Sequence, residues 1–165
     1  MKTKLFILFW TVSWGLLAAY LFRPWPESIC RPADIYDDSA DGAKQMVAAF
    51  ARAKREHKLV LLQFGANWCV WCQKLHCFFN SDGAVKREIA SHFRVVLIDV
   101  NQGRNAVTVA KYGHPTDQGL PVLVVLDADG RQLATQGTGE LVDMNDGQYD
   151  SERVLAFLKK WSAAK

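Results

Sequence analysis

Cys69 and Cys72 are separated by two residues in the run Cys69-Val70-Trp71-Cys72, and Cys30 and Cys77 complete the chain's four cysteines. A pair at this spacing can hold a soft metal, carry a haem, staple a small fold or cycle between dithiol and disulfide. Four cysteines in 165 residues are too few and too bunched for a disulfide-stapled mini-protein. Haem attachment needs His directly after the second cysteine, and position 73 is Gln. A zinc site wants a second ligand pair at a distance, which this chain lacks. Redox cycling needs one thing more, a helix that begins at the first cysteine. There the unpaired N–H groups and the helix dipole favour a thiolate, and the thiol pKa can fall to ~3.5–7.5. Cys69 is then expected to be exposed and ionised at neutral pH, with Cys72 shielded one turn deeper. A rival chemistry uses His76, which on an ideal helix shares a face with Cys69 and Cys72 and could join them around copper or zinc. The plainer reading of His76 is a partly exposed helix histidine.

The elements that must position this pair are legible around it. Met46, Val47, Phe50 and Ala53 recur at helical spacing between Asp41 and Lys58, with Lys44, Arg52, Arg55 and Glu56 on the other side. Leu59 to Phe64 reads as a buried strand broken only by Gln63, and Gly65-Ala66-Asn67-Trp68 as the loop that delivers Cys69 to its helix. The helix runs over 69–79, and a second one after Ser81-Asp82-Gly83 turns Val85 and Ile89 inward. Val95 to Val100 is the next strand, and the stretch between the strands is long enough for a parallel βαβ crossover. A short helix near Asn105–Tyr112 leads to Gly119-Leu120-Pro121. Two strands then flank the turn Ala128-Asp129-Gly130, a hairpin signal. Residues 137–150 read as a polar, Gly-rich loop, and Asp150 or Ser151 caps a last helix that buries Val154, Leu155, Leu158 and Trp161.

Upstream, Leu5 to Phe22 is eighteen residues without a charge, flanked by Lys2, Lys4 and Arg23. As a helix it would be ~27 Å long against a hydrocarbon core of ~30 Å, so it is expected to span a membrane. No position satisfies the small-residue rule of a cleavage site without leaving a greasy N-terminus, which favours an uncleaved anchor over a removed signal peptide. The basic amino end points to an N-in orientation with the rest of the chain on the exported side. The organisation expected is an anchor or signal segment over 1–23, a tether over 24–38 that includes a short edge strand at Ile35-Tyr36, and one globular domain over 39–165. Past residue 30 the chain holds 17 basic against 16 acidic residues, without the basic excess that nucleic-acid binding uses.

With these elements in place, the sequence resembles the thioredoxin family. Phe64-Gly65-Ala66-Asn67-Trp68-Cys69-Val70-Trp71-Cys72 is similar to that family's active-site stretch, and Gly119-Leu120-Pro121 with the following strands to its later proline, strand and hairpin. The resemblance covers roughly residues 40 to 162, and it is closest to the exported electron-transfer branch. It implies an α/β thioredoxin fold, a central mixed sheet flanked by helices. It also implies a cis bond before Pro121, a backbone at Leu120 that can pair with a substrate's extended chain, and substrate contact from Trp68. Trp71 either shapes substrate contact or merely covers Cys69, and Lys74 reads as a solvated charge. Two departures stand out. Gln63 occupies the place where many relatives have a buried acid that handles the second cysteine's proton, and Cys77 takes the place of a helix-kinking proline.

The function expected is a thiol–disulfide oxidoreductase, in which Cys69 attacks and Cys72 resolves, with Gln63 beneath Cys72. It needs no cofactor or metal. Its expected partners are protein thiols or disulfides and an upstream electron donor or acceptor protein, with the membrane reached through residues 5–22 and no nucleic acid. The alternatives are a copper or zinc metallochaperone built on Cys69, Cys72 and His76, and a non-catalytic thioredoxin-fold binding module. Cys30 and Cys77 read as ordinary thiols, with a second disulfide or regulatory pair as the alternative.

Overall fold

Leu59–Gly65 forms strand β1, and all seven of its residues are buried. In the computed structural model, which describes residues 34–163, β1 is hydrogen-bonded along both edges. It runs parallel to β2 (Phe93–Asp99), in register from Leu59 opposite Phe93 to Gly65 opposite Asp99. On its other edge it runs antiparallel to β3 (Val122–Leu126), from Val60 opposite Leu126 to Phe64 opposite Val122. β4 (Gln132–Gly137) returns antiparallel on β3, giving the order β2-β1-β3-β4. The turn between β3 and β4 is the expected one. Asp127 accepts from the backbone N–H groups of Asp129 and Arg131, and Gly130 takes the positive φ of 86° that a Cβ would oppose.

Side chains alternate across a strand, so the even residues of β1 face one layer and the odd residues the other. Val60, Leu62 and Phe64 pack beneath α1 (Gly42–Glu56), against Met46, Ala49 and Ala53. Leu59 and Leu61 pack on the opposite face, against Leu75 and Phe79 of α2 (Val70–Ser81) and Val85 of α3 (Gly83–His92). Short α4 (Ala106–Lys111) follows β2, and α5 (Ser151–Ser162) closes the α2 face with Val154, Phe157 and Leu158. This is the mixed sheet flanked by helices that the family resemblance implied. Every main helix except α2 has a carboxylate at its start: Asp41 of α1 accepts from Ala43 and Lys44, and Asp150 of α5 from Arg153. Asp82 does double duty, its own N–H closing α2 on Phe78 while its carboxylate accepts from Ala84 and Val85 to open α3.

Four local expectations need correction. Ile35-Tyr36 is a bend rather than an edge strand, because the Asn67 side chain takes the hydrogen bonds that a ladder would need. Asn67 accepts from the Tyr36 N–H at 2.9 Å and donates to the Tyr36 carbonyl at 2.9 Å. Val47 faces solvent, at 69% exposure, and Ala49 takes the inward place on α1. In α5 Phe157 is buried outright, while Leu155 and Trp161 only flank the core. The supposed loop over 137–150 is ordered: a 3₁₀ turn at Thr138–Leu141 leads into a short hairpin whose strands, β5 (Val142–Asp143) and β6 (Gln148–Tyr149), are two residues each. The apolar run of residues 5–22 and Cys30 lie outside the described residues; among the described residues no helix is long and apolar enough to cross a membrane.

The Asp82 cap carries a pH signature. Its N–H partners, Val85 first, hold its carboxyl below the ordinary 3.8 against a smaller opposing effect of burial. A depressed folded pKa means stability that is complete above the unfolded value and fades as pH falls through the lower, folded one. Asp82→Ala is expected to lower unfolding free energy by about 0.5–2 kcal/mol at neutral pH. In denaturant titrations at stepwise lower pH the gap between the two proteins should close below about pH 3.8.

Candidate active site

Cys69 ends the loop that leaves β1 and is itself the N-cap of α2, with extended backbone and a sulfur that accepts the N–H of Cys72 at 3.2 Å. The positive end of the helix is therefore aimed at this one sulfur. Cys69 and Cys72 form a disulfide with their Cα atoms 5.2 Å apart. The expected contrast in exposure is weaker than supposed. Cys69 is 5% exposed and Cys72 fully buried, because the oxidised pair is packed with Tyr36 and Leu120. The exposed side chains next to the pair in the chain are Trp68, Val70 and Trp71, at 66, 61 and 40% exposure, and they form the rim of the site.

The rim is held in place. Trp68 Nε1 donates to Asn101 Oδ1 at 3.0 Å. Trp71 meets Tyr149 of the β5–β6 hairpin edge to face at 6.0 Å between ring centres, and the Tyr149 hydroxyl donates to the Trp71 carbonyl at 3.3 Å. Lys74 is no free solvated charge, since its ammonium lies 4.4 Å from the centre of the Trp71 ring. The Leu120–Pro121 bond is cis, and Thr138 Oγ1 donates to the Pro121 carbonyl at 2.7 Å. Between these groups opens a cleft of about 310 Å³, lined among others by Trp71, Leu120, Pro121, Val142, Met144 and Tyr149. Met144, at the hairpin tip, is 84% exposed.

Beneath the disulfide lies a polar cluster. Strand parity turns Gln63 to the α2 side, fully buried, where its Nε2 donates to the Tyr36 hydroxyl at 2.7 Å and to the Cys72 carbonyl at 3.3 Å. Burial pushes the Tyr36 phenol well above its ordinary pKa, with nearby Asp99 adding in the same direction and the Gln63 hydrogen bond opposing. Gly65, two residues further along β1, leaves space that a side chain would fill. A Cβ there would overlap both the Tyr36 hydroxyl and Cys72 Sγ.

Of the residues singled out from sequence, Cys69, Cys72, Trp71, Leu120, Pro121 and Gln63 gather around the disulfide, and Trp68 is anchored to one side of it. His76 does not join them as a ligand. No group of three or more His, Cys, Asp or Glu side chains suited to a metal occurs among the described residues. Burial lowers the pKa of His76. Cys77 is disulfide-bonded rather than an ordinary buried thiol. Tyr36, Asn67, Thr138 and Tyr149 were missed. Only Tyr36 left a trace in the sequence, as half of an apolar pair, Ile35-Tyr36, in a stretch of acids and small polar residues.

A family model described as thioredoxin-like matches residues 43–128. The chain is 31% identical over 99 residues to the disulfide bond reductase DsbH of Chlamydia pneumoniae, covering 54% of this chain and 58% of that protein. It is 31% identical over 102 residues to the thiol:disulfide interchange protein DsbD of Salmonella typhi, covering 61% of this chain and 17% of that protein. The chain thus spans little more than half of the one curated relative and under a fifth of the other. Among solved structures, a disulphide isomerase from Xylella fastidiosa Temecula1 is 38% identical with a TM-score of 0.67, covering 78% of this chain and 96% of that one.

The close approach at Gly65 is directly testable. Gly65→Ala is expected to cost on the order of 1–3 kcal/mol of stability, because the added methyl must displace either the phenol or a sulfur. Chemical denaturation of the oxidised proteins measures it, and an unchanged midpoint would show that the cluster is looser than described.

Proposed function

The chain belongs to the thioredoxin-like family, and on that footing we propose that it is a thiol–disulfide oxidoreductase of the DsbH and DsbD type, working as a reductant of protein disulfides on the exported side of a membrane. The observation that carries this reading is the placement of a Cys-x-x-Cys disulfide at a helix start, with Cys69 Sγ as the N-cap acceptor beside an open cleft.

In the reduced protein the Cys69 thiolate attacks one sulfur of a substrate disulfide. A Cys69–substrate bond forms, and the other substrate sulfur leaves with the electron pair as a thiolate. Cys72 then loses its proton and attacks Cys69 Sγ. The intramolecular disulfide closes and the second substrate thiolate departs. A donor dithiol reverses the last steps on the enzyme: its thiolate attacks Cys69 Sγ, Cys72 leaves as a thiolate, and the donor's second sulfur completes the transfer. Two electrons pass at each exchange, so the cycle balances with no cofactor or metal. Trp68 and Trp71 flank the incoming chain, and Leu120 beside Pro121 offers backbone for it to pair with. An anchor over residues 5–22 would hold this chemistry at the exported face, where the donor is an upstream electron-transfer protein.

Reduction of a model protein disulfide by dithiothreitol, catalysed by the full chain, tests the assignment. Cys69→Ser is expected to abolish catalysis and Cys72→Ser to accumulate trapped mixed disulfides, seen as a mass increase that reductant reverses. Full activity in Cys69→Ser would overturn the reading.

Gln63 cannot accept a proton at neutral pH. Gln63→Glu keeps the reach to the Cys72 carbonyl, and burial raises its carboxyl pKa toward neutrality, where it becomes a usable base. Mixed-disulfide decay below pH 7, followed by rapid mixing, should therefore speed up severalfold. Unfolding free energy should fall by roughly 1–3 kcal/mol, because a carboxyl replaces a hydrogen-bonded amide. Equal decay rates at every pH would show that the proton leaves by another route.

A further inference from the structure

The cluster under the active-site helix contains more hydrogen-bonding capacity than the oxidised protein uses. The Tyr36 hydroxyl accepts from Gln63 Nε2, so its own proton points elsewhere, and among the described residues it donates to no partner. Gln63 Oε1 in the same cluster is buried with no partner. Buried donors and acceptors are normally paired, and each one left unpaired costs about 1–3 kcal/mol. Both unused groups belong to side chains packed around Cys72. The Tyr36 hydroxyl and Cys72 Sγ would both overlap a single Cβ built on Gly65, which puts them within about 5 Å of each other. Tyr36, Cys69 and Cys72 form one buried contact cluster. A disulfide sulfur makes little demand on such a donor. A Cys72 thiolate, buried and with no ion pair to a cation among the described residues, makes a strong one.

We propose that the Tyr36 hydroxyl, oriented by Gln63, donates a hydrogen bond to Cys72 Sγ whenever that sulfur is a thiolate, and so replaces by hydrogen bonding what a buried acid does by proton transfer in other members of the family. The inference rests on the thiol–disulfide cycle above. It applies at two points of that cycle. When the Cys69–substrate disulfide is resolved, Cys72 gives its proton to solvent, and the resulting thiolate is held by the phenol until it bonds to Cys69 and the substrate sulfur leaves. When a donor thiolate attacks Cys69, the Cys69–Cys72 bond breaks, and the electron pair that Cys72 keeps is met by the same O–H. The phenol transfers no proton in either step. Burial holds its own pKa above the range in which the enzyme works, so it remains a donor throughout. Gln63 is a positioning residue, fixed by its second bond to the Cys72 carbonyl.

The other ionisable groups whose fields reach Tyr36 are Asp99 at the end of β2 and Tyr149 from the hairpin. Asp99 is buried and paired with Arg104 at 3.1 Å, and Arg104 also meets Asp38 of the N-terminal segment. On α2 itself, Lys74 lies on Trp71 and His76 is half-buried with a pKa lowered by burial. None of these supplies a donor within the cluster. Asp99 acts on Tyr36 in the same direction as burial, which helps to keep the phenol a donor.

The test titrates Cys72 directly. In the full chain carrying Cys69→Ser, with ¹³C-labelled cysteine, the Cβ resonance of Cys72 is followed against pH, alone and together with Tyr36→Phe. Loss of the hydroxyl is expected to raise the Cys72 pKa by about one unit or more, a tenfold smaller thiolate fraction at a given pH. A merely structural Tyr36 would lower stability and leave this pKa in place, and that result would overturn the proposal, as would a pKa that falls. Should Tyr36→Phe fail to fold, the wild-type chain decides. The Tyr36 hydroxyl proton should move downfield on reduction at alkaline pH, and an unmoved resonance would overturn the proposal. The titration does not depend on catalysis. A wild-type chain that exchanges no disulfide would therefore sink the functional reading while leaving the Tyr36 result to stand by itself.

Discussion

Strand β1 is paired along both edges and buried on both faces, and every part of the candidate site is positioned by that confinement. Its even residues commit α1 to one face and its odd residues commit α2 to the other. A one-residue slip would reverse both assignments and expose two cores, so the register is strongly held. The chain leaving β1 after Gly65 has three residues, Ala66 to Trp68, in which to reach Cys69, which places the first cysteine at the end of the sheet and makes it the N-cap of α2. The antiparallel partner β3 begins at Val122, immediately after Pro121, so the cis peptide is brought to the same end by the same ladder.

The polar cluster follows from this geometry. Parity places Gln63 on the α2 face beside Leu61, in a layer otherwise apolar, and an amide there is tolerable only if it is bonded. Tyr36 and the Cys72 carbonyl bond it. Tyr36 in turn is kept by Asn67, whose side chain clamps both of its backbone polar groups from within the loop that presents Cys69. The segment before α1 is thereby tied to the active-site loop through side chains, in the place where a backbone ladder was expected. Gly65 leaves the space in which phenol and sulfur meet.

On the solvent side the site is shaped by the short β5–β6 hairpin. Tyr149 packs on Trp71 and bonds its carbonyl, Thr138 bonds the carbonyl of Pro121, and Met144 extends the apolar lining of the cleft outward. The hairpin therefore links the two halves of the rim, the Cys-x-x-Cys helix and the cis-proline loop. Those halves are about fifty residues apart in the chain.

Elements with local signals are legible in the amino-acid sequence. The apolar run Leu59–Phe64, the turn Asp129-Gly130, the break at Asp82-Gly83 and the order of strand, loop and Cys-x-x-Cys each lie within a few residues, and each matches an element of the fold. The position of Gln63 under α2 was also legible, because strand parity and two-sided burial are properties of a short stretch. Features that depend on meetings between distant residues emerge only in the folded chain. Tyr36 reaches Gln63 across 27 positions, Asn67 reaches Tyr36 across 31 and Tyr149 reaches Trp71 across 78, and no local pattern encodes such partners. The same reason accounts for the bend at Ile35-Tyr36, the ordered hairpin within 137–150 and the low exposure of Cys69. In each case side chains from elsewhere in the fold satisfied or covered groups that the local sequence left open, and the free energy of burying polar groups with their hydrogen bonds made outweighed local preference.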